Sequence, residues 1–361
     1  MSVLIFLAVL FVLVLVHELG HFVVAKLTKM RVDEFGIGFP PRIFGIKKGE
    51  TTYALNLLPI GGYVKILGEN SEAGESGSEE SFTAKSKWAQ SAVLLAGVTM
   101  NVLLAWVLFA AVLTMGVQTA VSEADASPEA VLIVTGTLPE GPAAEAGVPS
   151  AAEIVSLRTE SDALTELTPS AFRSFVETHD AEALFLTYRK GNEESEVTLT
   201  PTAGLVAESP EDAIIGVGLT LTEVVRTPFF NALYESALLT ATTLKDITFG
   251  ISKLLYDAVR FDADLSEVAG PVGIVGLVDE ASAFGITALL MFTAFISLNL
   301  AVINLLPFPA LDGGRLLFVL IEAIKGSPIR SSWVAGLNTF GFALLILLMI
   351  AVTFNDVARL I

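Results

Sequence analysis

The sequence predicts a polytopic α-helical membrane protein with about four transmembrane helices, a short β-ribbon and one soluble-type α+β domain. Three observations predict it. The 361 residues are 53% hydrophobic and only 17% charged, and the mean hydropathy of +0.68 lies well above that of a soluble domain of this length. Four stretches, 2–25, 89–117, 284–306 and 333–354, are uncharged or nearly so, and each offers the ~20 apolar residues that a spanning helix requires. Between the second and third lies a segment, 118–204, whose composition is that of strands plus a helix in water.

The first stretch carries no charge except Glu18, and its basic residues, Lys26, Lys29 and Arg31, follow it. A secretory signal peptide would show the reverse: a basic start and a small-residue cleavage site. The positive-inside rule then sets the N-terminus outside and residue 28 onward in the cytoplasm. Between residues 26 and 88 there are nine Lys or Arg, whereas 118–227 holds five among many Asp and Glu. With four spans, both termini and the 118–204 domain are expected outside.

Within the cytoplasmic loop, 29–88, residues 32–67 alternate β-favouring residues with turn signals and read as the ribbon. Residues 69–82, "ENSEAGESGSEESF", read as a solvated acidic linker. Segment 205–283 is expected to lie on the membrane surface. Its core, 228–260, is apolar at helical spacing but interrupted by Glu235, Lys245, Asp246 and Lys253, which suits an amphipathic helix better than a span. The third span runs into a proline- and glycine-rich turn, 284–315, and 316–361 completes the chain with a cytoplasmic helix and the fourth span.

Composition also excludes. A net charge of −18 argues against nucleic acid as a partner. With no cysteine, disulfides and thiolate metal sites are ruled out. The three histidines are His17, His21 and His179, and the last falls in the acidic outer segment, where it reads as an ordinary surface residue.

The first span contains His17-Glu18-Leu19-Gly20-His21. In H-E-x-x-H on a helix the histidines are one turn apart and can bind one zinc ion, with the glutamate placed as general base. Ionisable groups in hydrocarbon carry an insertion penalty, so such a cluster is a functional-site hypothesis by default. The alternative is a pair of histidines hydrogen-bonded within a helix bundle around a neutral Glu18. Catalytic zinc takes three protein ligands and one water, so a carboxylate at the same depth is needed. Asp312, in "NLLPFPALDGGRL" (304–316), is the candidate. Pro307 and Pro309 break the helix there, and Gly313 and Gly314 permit close backbone approach, which places Asp312 on irregular backbone. A helix cap after a proline turn is the alternative for Asp312. A spanning 228–260 would put that turn on the outer side, away from the histidines, so the surface reading is the consistent one.

These residues resemble the site-2 protease family of intramembrane zinc metalloproteases, specifically the bacterial group that cleaves anti-sigma factors. HELGH and the N-x-x-P-x-P-x-L-D-G-G run, Asn304–Gly314, are the family's two signatures in order. The similarity continues in "GGYVK" (61–65), "GVTMN" (97–101) and "AGPVGI" (269–274). The resemblance implies Zn2+ held by His17, His21 and Asp312, with Glu18 as base and Asn304 holding the substrate backbone. It implies that the ribbon dips into the membrane and offers an edge strand to the substrate, with Gly61, Gly62 and Tyr63 as the residues to probe. "VLIVTGTLPEGPAAEAGV" (131–148) resembles the start of a PDZ domain, although "PSAAEIVSL" (149–157) departs from the usual turn. Such a domain would bind a peptide or act as a steric filter.

The expectation is an enzyme of the bacterial plasma membrane that cuts transmembrane segments of single-pass proteins, such as anti-sigma factors or signal-peptide remnants, from the cytoplasmic side. The rivals are a membrane metal-ion transporter using the same ligands and an inactive scaffold. The transporter needs no base at Glu18 and gives the ribbon and outer domain no role.

Overall fold

The computed structural model describes residues 2–69, 78–180, 182–191, 193–205, 213–260 and 269–360, and divides into two units. The first, Met1–Thr114 with Pro228–Ile361, contains four helices long and apolar enough to cross a membrane. They are α1 (Ser2–Leu27), α2 (Lys87–Met115), α7 (Ile286–Leu305) and α9 (Ser331–Leu360).

Helices that are apolar all round cannot be oriented by a hydrophobic stripe, so small and polar residues decide how they pack. In α1 the buried residues are Val9, Leu13, His17, Gly20, His21 and Ala25, one face at helical spacing. That face meets α2, where a Cβ on Gly20 would lie 2.8 Å from the Ala96 carbonyl carbon. The buried stripe of α2 continues through Asn101, Ala105 and Phe109, and its far end packs on Ala294, Leu298 and Val302 of α7. α2 is therefore the shared wall between α1 and α7.

Between α1 and α2 come β1 (Val32–Lys48) and β2 (Thr51–Ile66). Both bend, so that they make four short segments. Residues 52–55 pair with 44–47 on one side and with 34–37 on the other, and 34–37 pair in turn with 62–65. Segment 62–66 is thus an edge among the described residues. A 3-10 turn, Phe82–Ala84, with buried Phe82, leads into α2. Most of the expected acidic linker, 70–77, lies outside the described residues.

After the second unit come α5 (Phe229–Val259), α6 (Pro271–Ala283) and α8 (Asp312–Lys325). The amphipathic helix expected over 228–260 is present as α5, and it lays Leu239, Leu244, Ile247 and Ile251 on α2 and α7. Trp106 of α2 donates its indole N–H to the Leu233 carbonyl at 3.0 Å. The expectation of a single surface region over 205–283 needs correction. Pro271 opens a separate helix, α6, that packs against α1, α7 and α9. Its start is fixed by Asp356 of α9, 5% exposed, whose carboxylate accepts from the backbone N–H of Gly270 at 3.1 Å and Gly273 at 2.8 Å.

The second unit, Met115–Thr227, is an antiparallel six-stranded sheet in the order β3-β8-β4-β5-β6-β7. Its strands are β3 (Val117–Val121), β4 (Val131–Thr137), β5 (Glu153–Arg158), β6 (Leu184–Lys190), β7 (Glu193–Leu199) and β8 (Val217–Val225), with helices α3 (Pro142–Glu145) and α4 (Pro169–Thr178). Inward residues Leu132, Val134, Ile154, Leu157, Leu184 and Leu186 form a core against Phe172, Phe175 and Val176 of α4. Here the sequence expectation stopped short. The domain does not end at residue 204, because β8 inserts between β3 and β4 and closes the sheet.

Candidate metal centre

His17 and His21, one turn apart on α1, project from its buried face, and each is 8% exposed. Asp312 reaches them from the start of α8. It does not sit on irregular backbone, as the sequence suggested. It is the first helical residue, and Leu311 is the extended residue before it. The turn that precedes it is tight. A Cβ on Gly313 would overlap the carbonyl oxygens of Leu305 and Leu306, and one on Gly314 that of Phe308. These glycines are there for close backbone approach. Ala310 takes φ +77°, and its N–H donates to Asn338 Oδ1 of α9 at 3.2 Å.

The three side chains converge. Asp312 Oδ2 lies 3.1 Å from His17 Nε2 and 3.3 Å from His21 Nε2, and the two Nε2 atoms are 3.1 Å apart. A tetrahedral zinc ion at ~2.0–2.2 Å from each donor would set those donors ~3.3–3.5 Å apart. The donor set, two imidazoles and a carboxylate, fits the metal in both chemistry and spacing. It is the one group of three or more potential ligands of this kind among the described residues.

α2 supplies the wall behind the trio. Val93 offers its carbonyl 2.8 Å from His21 Nδ1. Asn101, fully buried, sets its side-chain nitrogen 3.4 Å from His17 Nδ1. Gly97 lies between them, and a Cβ there would fall 2.6 Å from His17 Cε1 and 2.7 Å from His17 Nε2. Sequence reading used Gly97 and Asn101 only as parts of a similar motif and assigned them no task. The available signal was a lone asparagine in an uncharged span.

The remaining predicted residues divide. Glu18 turns toward the ribbon edge, beside the backbone N–H of Val64, and a Cβ on Gly62 would sit 3.5 Å from its Cγ. Gly61, at φ +95°, lies against Phe39 and against Val14, one turn before Glu18. Tyr63 instead serves the ribbon. Its hydroxyl donates to Glu34 at 2.9 Å, and its ring lies under Gly36. Partial burial holds that phenol above its ordinary pKa, and the neighbouring Glu34 adds to the rise. Asn304 lies half-buried in the last turn of α7, and among the described residues its side chain has no hydrogen-bond partner. His179, far along the chain in the second unit, bonds through Nδ1 to the Phe175 carbonyl at 2.8 Å. It takes no part in the trio.

Comparison with known proteins places the chain among peptidases. The family model described as peptidase family M50 matches residues 5–348. A Clostridium perfringens protein whose name describes a zinc metalloprotease is 34% identical over 96% of this chain and 95% of its own. The regulator of sigma-W protease RasP of Bacillus subtilis is 30% identical, with 99% of each chain covered. The zinc metalloprotease RasP of Bacillus licheniformis is 29% identical over 99% of both.

Proposed function

The chain belongs to peptidase family M50, and from that premise we propose that it is a zinc endopeptidase that hydrolyses a peptide bond within or near the membrane segment of a single-pass protein. The observation that carries the reading is the convergence of His17, His21 and Asp312 on one point, with Glu18 on the same helix beside a strand edge. His17, His21 and Asp312 would hold a zinc ion there, which would supply Lewis-acid chemistry to the scissile carbonyl and to water. Glu18 takes the proton from the attacking water and returns it to the leaving amine.

A peptide must be extended to be cut. The edge at 62–66 has a strand partner on one side only among the described residues, with Glu18 beside the Val64 N–H on the other, and a substrate strand added there would run past Glu18. Gly61 and Gly62 keep that edge open to a neighbouring backbone. Asn304, with an amide free to donate and accept, suits a role in holding the unwound substrate backbone. By the relative named a regulator of sigma-W protease, anti-sigma factors are the substrate class proposed first. We place the active site toward the cytoplasmic side of a bacterial plasma membrane, with both termini and the second unit outside.

The second unit supports a regulatory role. β3 pairs with β8 only over 221–225, which leaves 217–220 unpaired on that side. Beside it lies a cavity of about 360 Å³ lined by Phe172, Arg173 and Val176 of α4 and Ile215, Val217 and Leu219. A PDZ-like unit would take an extended peptide in such a groove.

The test is cleavage of a single-pass membrane substrate by purified wild type and Glu18→Gln. Zinc in both with cleavage by wild type alone supports the protease. Zinc in both with cleavage by neither, across several substrates with destabilised helices, moves the reading to a transporter or scaffold.

A further inference from the structure

Asn101 presents an anomaly. It is 0% exposed, and its Oδ1 is one of three buried side-chain polar atoms without a hydrogen-bond partner among the described residues. A buried unpaired amide oxygen costs about 1–3 kcal/mol of desolvation, so a tolerated one calls for a reason. Its other amide atom, Nδ2, contacts His17 Nδ1 at 3.4 Å.

The two histidines are served differently on the side away from Asp312. His21 Nδ1 faces the Val93 carbonyl, which can only accept. Nδ1 therefore carries the proton, and the lone pair of Nε2 faces the trio. His17 has no such fixed acceptor. With the Asn101 amide nitrogen toward it, His17 Nδ1 accepts, and Nε2–H donates to Asp312 Oδ2 at 3.1 Å. A half-turn of the amide exchanges its two ends. Oδ1 then accepts from Nδ1–H, the orphan oxygen gains a partner, and the His17 Nε2 lone pair turns to the trio.

We infer that Asn101 is the positioning residue that sets the His17 tautomer, its amide oxygen accepting from Nδ1–H so that the Nε2 lone pair faces the trio. The inference rests on the zinc reading above and deepens it. An imidazole ligand binds best when its second nitrogen donates to a fixed acceptor. An asparagine can serve either tautomer of His17, and no aliphatic residue can serve one. The Asn101 backbone carbonyl accepts from Ser297 Oγ of α7 at 2.8 Å, a contact between helices that is separate from the side-chain amide.

The experiment measures zinc affinity of the full-length protein in detergent by chelator competition, together with the visible spectrum of the cobalt-substituted form. Asn101→Leu, which keeps the branched shape and removes both polar amide atoms, is expected to weaken zinc about 10- to 100-fold and to shift the cobalt bands. Asn101→Asp, which retains an acceptor, is expected to bind within about threefold of wild type. Ser297→Ala disturbs the same contact between helices without touching the imidazole, and is expected to leave both readouts unchanged. Should Asn101→Leu not fold, Asn101→Ser, too short to reach Nδ1, takes its place with the same expectation. Wild-type affinity and spectrum in the Leu or Ser variant overturn the inference and leave the zinc reading standing. Equal weakening by Ser297→Ala also overturns it, by reducing Asn101 to packing. A wild type that binds no zinc through His17 and His21 overturns both.

Discussion

Replacing Gly97 with alanine should dismantle the metal centre by a single methyl group. A Cβ at this position would stand 2.6 Å from His17 Cε1 and 2.7 Å from His17 Nε2, and closer still to His21 Nε2. Ordinary carbon contacts begin near ~3.5 Å, so one or both rings must retreat by about 0.8 Å or more. α1 has little room to move as a whole, because Gly20 already brings it against the Ala96 carbonyl. The rings are buried and their Nδ1 atoms are held by Val93 and Asn101. Overpacking of this kind costs about 1–3 kcal/mol, offset by the ~1 kcal/mol that alanine gains over glycine inside a helix. The folded protein should therefore survive with a modest loss of thermal stability. Function should not, since a displacement near 1 Å costs on the order of 100-fold in rate. The assay pairs zinc content after equilibration against a chelator with cleavage of a membrane substrate. Gly250→Ala in α5, where a Cβ meets nothing within 4 Å, is the matched control. Wild-type zinc affinity and activity in Gly97→Ala would refute the reasoning.

Gly313→Ala drives a methyl into backbone carbonyls of the preceding turn, which cannot yield as a side chain does. Loss of bound zinc and a lower yield of folded protein are expected, read by metal analysis and by size-exclusion profile. Asp356→Ala strips the acceptor from two backbone N–H groups at the start of α6. A loss of about 1–3 kcal/mol is expected, visible as a lowered melting temperature with zinc stoichiometry intact. Tyr63→Phe removes a hydroxyl that bonds only within the ribbon. It should cost about 0.5–1.5 kcal/mol and leave cleavage by the purified enzyme within about threefold, whereas Gly62→Val, on the edge facing Glu18, should abolish cleavage with zinc retained.

The four spanning helices were legible because an uncharged run of that length has few other readings, and each was found within a few residues of its limits. H-E-x-x-H was legible for the same reason: its groups are costly in an oily helix. What the sequence hid depends on non-local pairing. β8, "VGLTLTEVV", has the alternation of a strand, yet its place between β3 and β4 is set by partners some hundred residues earlier, and no local period shows it. α6 was merged with α5 although Pro271 is a helix-start signal. At Asp312 the reading of Gly313 and Gly314 as points of close backbone approach holds, since only glycine lets α8 press on the end of α7, but Pro307 and Pro309 suggested irregular backbone where α8 in fact begins. Asn101 and Asn338 are single polar residues whose partners lie on other elements. Nothing in their local sequence says that one faces His17 and the other holds the turn before Asp312.

The central claim is that one zinc ion is held by His17, His21 and Asp312. Zinc-edge X-ray absorption on the purified full-length protein, with metal stoichiometry on the single alanine variants of those three residues, tests it most directly. The account predicts one zinc per chain with two imidazole ligands and the remainder oxygen at ~2.0–2.2 Å, and a loss of stoichiometric zinc in each variant. One zinc per chain retained in all three alanine variants, or a first shell without imidazole, would contradict it.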